Sequence, residues 1–108
     1  MNSRPNEFGP EPAREDIDRF PSPLLLQFGA NWCSHCQAAQ PLVRQALEKF
    51  PHISHIMVED GKGKPLGRSF QVKLWPSLIF IKEGKEIGRL VRPENQTEIE
   101  SFLSQLGN

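Results

Sequence analysis

Long hydrophobic runs are missing from this sequence. Its longest purely apolar stretches, Leu24 to Leu26 and Leu78 to Ile81, fall far short of the roughly 20 residues a spanning helix needs. No membrane association is expected. An excess of either charge is missing too. Lys plus Arg number 13 and Asp plus Glu also 13, and both signs are scattered along the chain. No field gathers a polyanion, so no nucleic-acid partner is expected. The first twenty positions lack the apolar region of a secretory signal, since Arg4, Glu7, Glu11, Arg14, Glu15, Asp16, Asp18 and Arg19 interrupt them. A cytoplasmic location is the expectation. Cysteine is scarce, with two residues in 108. That is too few for a disulfide framework, and cytosolic thiols are kept reduced, so the pair calls for a catalytic or metal-binding explanation. A chain of this length forms one domain with a real core, and that domain must hold all the chemistry.

Residues 1–12 carry Pro5, Pro10, Pro12 and Gly9 with little apolar content. This composition predicts a flexible arm ahead of a domain spanning residues 13–108. Ala13 to Phe20 reads as a short helix held by Ile17 and Phe20 and ended by Pro21 and Pro23. Leu24 to Phe28, apolar except for Gln27, reads as a central strand covered on both faces. From about Ser34 to Phe50 the stripe Ala38, Leu42, Ala46, Phe50, flanked by Ala39, Val43 and Leu47, predicts a helix lying on a sheet, with Pro41 kinking it. Ile53, Ile56 and Val58 mark a second strand, and Pro65 opens a short helix to about Phe70. Leu78 to Ile81 and Glu86 to Val91 read as an antiparallel hairpin around Glu83-Gly84-Lys85. Asn95 caps a last helix with Glu98 three positions on, and Ile99, Phe102, Leu103 and Leu106 are its buried stripe. The expected class is α/β: a mixed β-sheet with helices on both faces.

The two cysteines stand three apart in Trp32-Cys33-Ser34-His35-Cys36, at the junction of the first strand and the long helix. One helical turn puts both side chains on one face within disulfide reach. The unpaired N–H groups and positive dipole end of the helix stabilise a thiolate at Cys33, making it the nucleophile. A protonated His35 beside it adds a second positive group, which makes the thiolate a better leaving group and the disulfide more oxidising. His35 read as an exposed spacer is the plainer alternative. A zinc site is a rival reading, because Cys33, Cys36, His52 and His55 approach the finger pattern. Against it, the two histidines are one residue too close, about 20 Å of helix separates them from the cysteines, and on a strand they would face opposite sides. No cofactor and no metal are expected.

Beyond the cysteine motif, Pro41 lies inside the following helix, Trp75-Pro76-Ser77 precede a strand, and Lys82-Glu83-Gly84-Lys85 form the hairpin. With these features the chain resembles the thioredoxin family over about residues 13–106. The resemblance implies the thioredoxin-like fold and a thiol-disulfide oxidoreductase in which Cys33 and Cys36 carry the exchange. Pro76 would be cis and lie against the cysteines, and the backbone of Trp75 would bind an extended substrate segment. Trp32 and the indole of Trp75 would add apolar contacts to that segment, or simply pack. Three positions depart from the family pattern. Gln27 stands where the family keeps a buried Asp thought to take the proton of the second cysteine. An amide cannot accept it, so resolution by Cys36 should be slower or use water as relay. Ser34-His35 replaces Gly-Pro between the cysteines, and Arg92 replaces a loop Gly facing the site. Arg92 there would favour the Cys33 thiolate and acidic partners. The implied partners are protein disulfides or dithiols and an electron donor or acceptor. The competing class is a thioredoxin-like protein-binding module in which the cysteines are regulatory or idle.

Overall fold

The computed structural model describes residues 8–107. Helices and strands alternate as α1 (Arg14–Asp18), β1 (Leu24–Gly29), α2 (Ser34–Glu48), β2 (Ser54–Glu59), α3 (Pro65–Ser69), β3 (Ser77–Lys82), β4 (Lys85–Val91) and α4 (Gln96–Leu106). The four strands form one mixed sheet in the order β2-β1-β3-β4. β1 runs parallel to β2 and antiparallel to β3, and β3 runs antiparallel to β4.

Alternation along β1 divides the core in two. Leu24, Leu26 and Phe28 pack with Ile17 of α1 and with Leu66 and Phe70 at α3, together with Ile79 and Ile81. Leu25 packs on the other face with Val43 and Ala46 of α2, Ile99 and Leu103 of α4, and Leu78 and Phe80. Because both faces are covered, all six residues of β1 are buried. The expected mixed sheet with helices on both faces is therefore what the chain forms.

Several details differ from the sequence reading. The buried face of α2 is Cys36, Ala39, Val43 and Ala46, whereas Ala38 is exposed. Of the expected stripe only Ala38 faces solvent: Ala46 is buried and Leu42 and Phe50 pack half-buried on the core, beside Ala39 and Val43. The hairpin turn holds two residues, not three, since Lys85 already pairs with Lys82. Glu83 and Gly84 both have positive φ, 53° and 79°, as a two-residue turn matching the strand twist requires.

Of the arm expected over residues 1–12, residues 1–7 lie outside the described residues. Residues 8–12 pack onto the domain. Phe8 is buried, and Gly9 pairs with β2, its N–H donating to Met57 O at 2.9 Å and its carbonyl accepting from Glu59 N at 2.8 Å. The Glu11 carboxylate accepts from Leu66 N at 3.0 Å and so caps the start of α3.

Candidate functional site

β1 ends at Gly29, and the chain turns through Ala30 to Trp32 before α2 begins. Cys33 is the N-cap of α2, where its Sγ accepts a hydrogen bond from Cys36 N at 3.2 Å. The cap thus supplies one of the acceptors a helix start lacks, and it holds the Cys33 sulfur against the positive end of the helix dipole. Both cysteines are free thiols. Asn31 steadies the turn from both sides: its Oδ1 accepts from Phe8 N at 2.9 Å and its carbonyl accepts from Gln37 Nε2 at 2.8 Å.

The two thiols differ in setting. Cys33 keeps 8% of its surface exposed and lines an open groove of about 420 Å³ with Trp32, Ser34, His35, Lys73, Leu74, Trp75 and Arg92. Cys36 is 2% exposed and faces inward, among Phe8, Ala30, Met57 and Trp75. Gly29 makes this close packing possible, for a Cβ there would lie 2.6 Å from Cys36 Sγ and 2.7 Å from Phe8 Cζ. Burial, and after it the neighbouring Cys33, push the Cys36 thiol up from 9.0 to about 12, against smaller opposing pulls from the Ala30 backbone and then Arg92. A thiol at that value is ionised to only about one part in ten thousand at pH 8. Iodoacetamide at pH 8 is therefore expected to leave one adduct per chain, placed on Cys33 by fragmentation of the labelled peptide. Equal labelling of Cys36 would contradict the asymmetry.

Trp75 closes the groove opposite Cys33. Its indole stands edge-on to Trp32 with ring centroids 5.5 Å apart, and its Nε1 donates to Asp60 Oδ2 at 2.9 Å. Trp32 is 73% exposed, so it is a surface aromatic and not a core residue. The Trp75–Pro76 peptide bond is cis, and Pro76 is buried. Arg92 follows β4 in a left-handed backbone conformation, φ 53°. Its N–H donates to Pro76 O at 3.0 Å and its Nε to Trp75 O at 2.8 Å. His35 is exposed on the rim.

Behind Cys36 a second cavity of about 240 Å³ is lined by Phe8, Asn31, Gln37, Gln40 and Arg44. Gln27 lies fully buried next to Gln40 of that lining, between two partners. Its Oε1 accepts from His55 Nε2 at 2.7 Å, and its Nε2 donates to Gln40 Oε1 at 3.1 Å. Gln40 Nε2 in turn reaches Met57 Sδ at 3.6 Å. Desolvation lowers His55 from 6.5 to about 4, so the ring is neutral near pH 7 and carries its proton on Nε2. The histidines weighed as zinc ligands thus lie apart, His55 on Gln27 and His52 against the Gly107 carbonyl. Asp60, Gln40, Phe8 and His55 escaped the sequence reading because each meets the site from a distant part of the chain. Asp60 alone left a signal, an acid just past a strand on the edge beside the cysteine loop.

A four-stranded mixed sheet flanked by four helices, with a Cys-x-x-Cys pair at the N-terminus of α2, defines a thioredoxin-like domain. The model of the Thioredoxin family matches residues 11–105, and the chain belongs to that family. A solved structure of thioredoxin 2 from Pseudomonas aeruginosa in its reduced form is 45% identical, with a TM-score of 0.84 over 98% of this chain and 96% of that one. A mutant thioredoxin from Halobacterium salinarum shares the fold at 18% identity, with a TM-score of 0.77 over 100% of this chain and 97% of that one. Among curated relatives, a thioredoxin H-type from Fagopyrum esculentum is 32% identical over 68 residues, which is 63% of this chain and 59% of that protein. A second, from Nicotiana tabacum, is 31% identical over 63% of this chain and 54% of its own length. The chain spans somewhat over half the length of these two curated relatives. Among the described residues no helix is long and apolar enough to cross a membrane.

Proposed function

We propose that the chain is a thiol-disulfide oxidoreductase acting on protein substrates. The observation that carries this reading is the unequal dithiol: Cys33 opens to a groove at the head of α2, while Cys36 is sealed beneath it with its proton held. Cys33 thiolate attacks one sulfur of a client disulfide, forming a mixed disulfide and releasing the other sulfur as a thiolate that takes up a proton. Cys36 then gives up its proton, and its sulfur attacks Cys33 Sγ. The second client sulfur leaves as a thiol. Two electrons and two protons pass to the client, and the chain ends as the Cys33–Cys36 disulfide. An outside electron donor must restore the dithiol, and run backwards the same steps oxidise a client.

The remaining roles follow from position. Trp32 and Trp75 form the substrate-binding wall, and Pro76, buried and not in the groove lining, would act from behind it. Arg92, and His35 when protonated, set positive charge around the reacting sulfurs, which favours the thiolate and makes the disulfide more oxidising. Gln27 cannot take the proton of Cys36, because its oxygen already serves His55 and an amide is no base. Water entering the cavity lined by Asn31, Gln37 and Gln40 receives that proton. We place this chemistry in the cytoplasm, where thiols are kept reduced and the dithiol can be regenerated. A binding module with idle cysteines is the weaker reading, since it leaves the thiol asymmetry without a use.

The test is the reduction potential of the Cys33–Cys36 couple in glutathione buffers, followed by the fluorescence of Trp32. A reversible two-electron couple clearly above about −270 mV is expected. A value at or below that figure would refute the tuning assigned to His35 and Arg92, and the absence of any reversible couple would refute the oxidoreductase itself.

A further inference from the structure

We infer that the groove selects client segments carrying a carboxylate next to their disulfide, and that Arg92 is the residue that selects them. The inference rests on the exchange chemistry proposed for Cys33 and names the client class. Three observations support it.

The first is where the guanidinium is held. Arg92 Nε donates to Trp75 O at 2.8 Å, which fixes the plane of the planar fork at the edge of the groove. An arginine has five N–H donors, and the Trp75 carbonyl engages the one on Nε. A fork fixed in this way is preorganised for a carboxylate, which it binds through paired hydrogen bonds. The second is the charge of the lining. Lys73, Arg92 and His35 line the groove with Trp32, Leu74 and Trp75, and among the described residues no carboxylate does. The acid closest in the network, Asp60, accepts the Trp75 indole N–H. In a chain with equal numbers of acidic and basic residues, the charged side chains that line this groove among the described residues are thus basic. The third is the backbone. Arg92 has φ 53°, a conformation glycine adopts without the steric cost borne by any residue with a Cβ. A long cationic side chain kept at such a position points to a use for that side chain. The apolar part of the client meets Trp32, 73% exposed, and Leu74, 50% exposed.

The test uses two peptides of equal length with one intramolecular disulfide each, identical except for Glu or Gln beside the half-cystine. Their turnover is measured, and so is the equilibrium binding of their reduced, alkylated forms, read by tryptophan fluorescence. The reduced protein is expected to favour the Glu peptide by about tenfold, the size of one charge-assisted hydrogen bond. The preference resides in KM and in binding affinity rather than in kcat, and it shrinks at high salt. In Arg92→Gly, which suits the local backbone, the ratio between the two peptides falls to about one. In Arg92→Lys, which keeps the charge but loses the fork, it falls part of the way. Equal binding of both peptides by the unmodified protein overturns the inference whether or not either is reduced. A preference that survives Arg92→Gly overturns the role of Arg92. Selective binding without turnover upholds the groove's selectivity and refutes only the exchange reading.

Discussion

Cys33→Ser is expected to bring client reduction down to the uncatalysed rate, whereas Cys36→Ser should stop the reaction halfway, with the client covalently attached. The two substitutions differ by one atom each, yet the geometry makes their outcomes opposite. Cys33 Sγ faces the groove and accepts from the helix N-terminus, so it is the sulfur a client disulfide can reach. Serine there leaves an alcohol far too weakly acidic to attack sulfur. Cys36 is 2% exposed and has Cys33 as its reactive neighbour. With serine at 36, the mixed disulfide on Cys33 has no internal nucleophile to cleave it and persists until an outside thiol arrives. Incubation of the Cys36→Ser protein with a disulfide peptide should give a stable adduct, at near one peptide per chain by mass spectrometry, reversed by dithiothreitol. Failure to form any adduct, or an adduct that forms equally well in Cys33→Ser, would remove Cys33 from the role of nucleophile. Each exchange keeps the side-chain size, and the cost falls mainly on Cys36→Ser, which buries a hydroxyl among Phe8, Ala30, Met57 and Trp75 and should lower stability by about 1–3 kcal/mol.

How much of this was legible in the sequence depends on range. Elements written in local code were readable. Asn95 does cap α4, accepting from Glu98 N at 2.9 Å, and the apolar run of β1 is buried on both faces as a central strand should be. The thiol pair was legible for the same reason, since a spacing of three on a helix start is a local fact. Features that need the register of the sheet were not. Gln27 and His55 are 28 positions apart, and only the parallel pairing that sets Leu25 beside His55 and Gln27 beside Met57 brings ring and amide together. Without that register the sequence argues against His55 as a zinc ligand and leaves it a surface or satisfied role, with no partner named. Trp75 and Asp60 meet in the same manner. Phe8 was hidden by company: prolines and a glycine around it suggest a loose segment, but one aromatic ring suffices to dock a chain when a cavity behind Cys36 is there to receive it. Arg92 was legible only as a departure from the loop Gly of the resembled family; its positive φ and its bond to Trp75 O needed the fold.

Acidification should cost this protein stability in a window set by His55. In the folded chain the imidazole titrates at about 4 instead of 6.5 because burial disfavours its charged form. Between those values the unfolded chain takes up a proton that the folded chain refuses, so stability falls as pH is lowered. The contribution is fully present above pH 6.5, declines from there to about 4, and is constant below. The interval corresponds to about 3 kcal/mol, or a melting temperature lower by roughly 12 °C or more for a domain of this length. Carboxylates titrate in the same range, so the wild-type curve alone does not isolate the effect. His55→Gln does, because glutamine offers an N–H to Gln27 Oε1 but has no proton to gain. Thermal unfolding of both proteins from pH 7.5 to 3.5 should show the wild type losing that amount relative to the variant. Parallel curves would mean that His55 is already hydrated in the folded state and that the Gln27 chain is open to water. The link to function is through Gln40, which joins Gln27 to the wall of the cavity behind Cys36. Folded His55 stays neutral down to about pH 4 and keeps its Nε2–H on Gln27 Oε1, so the resolving step should show no His55-dependent slowing over the window in which the fold weakens, in the wild type or in His55→Gln.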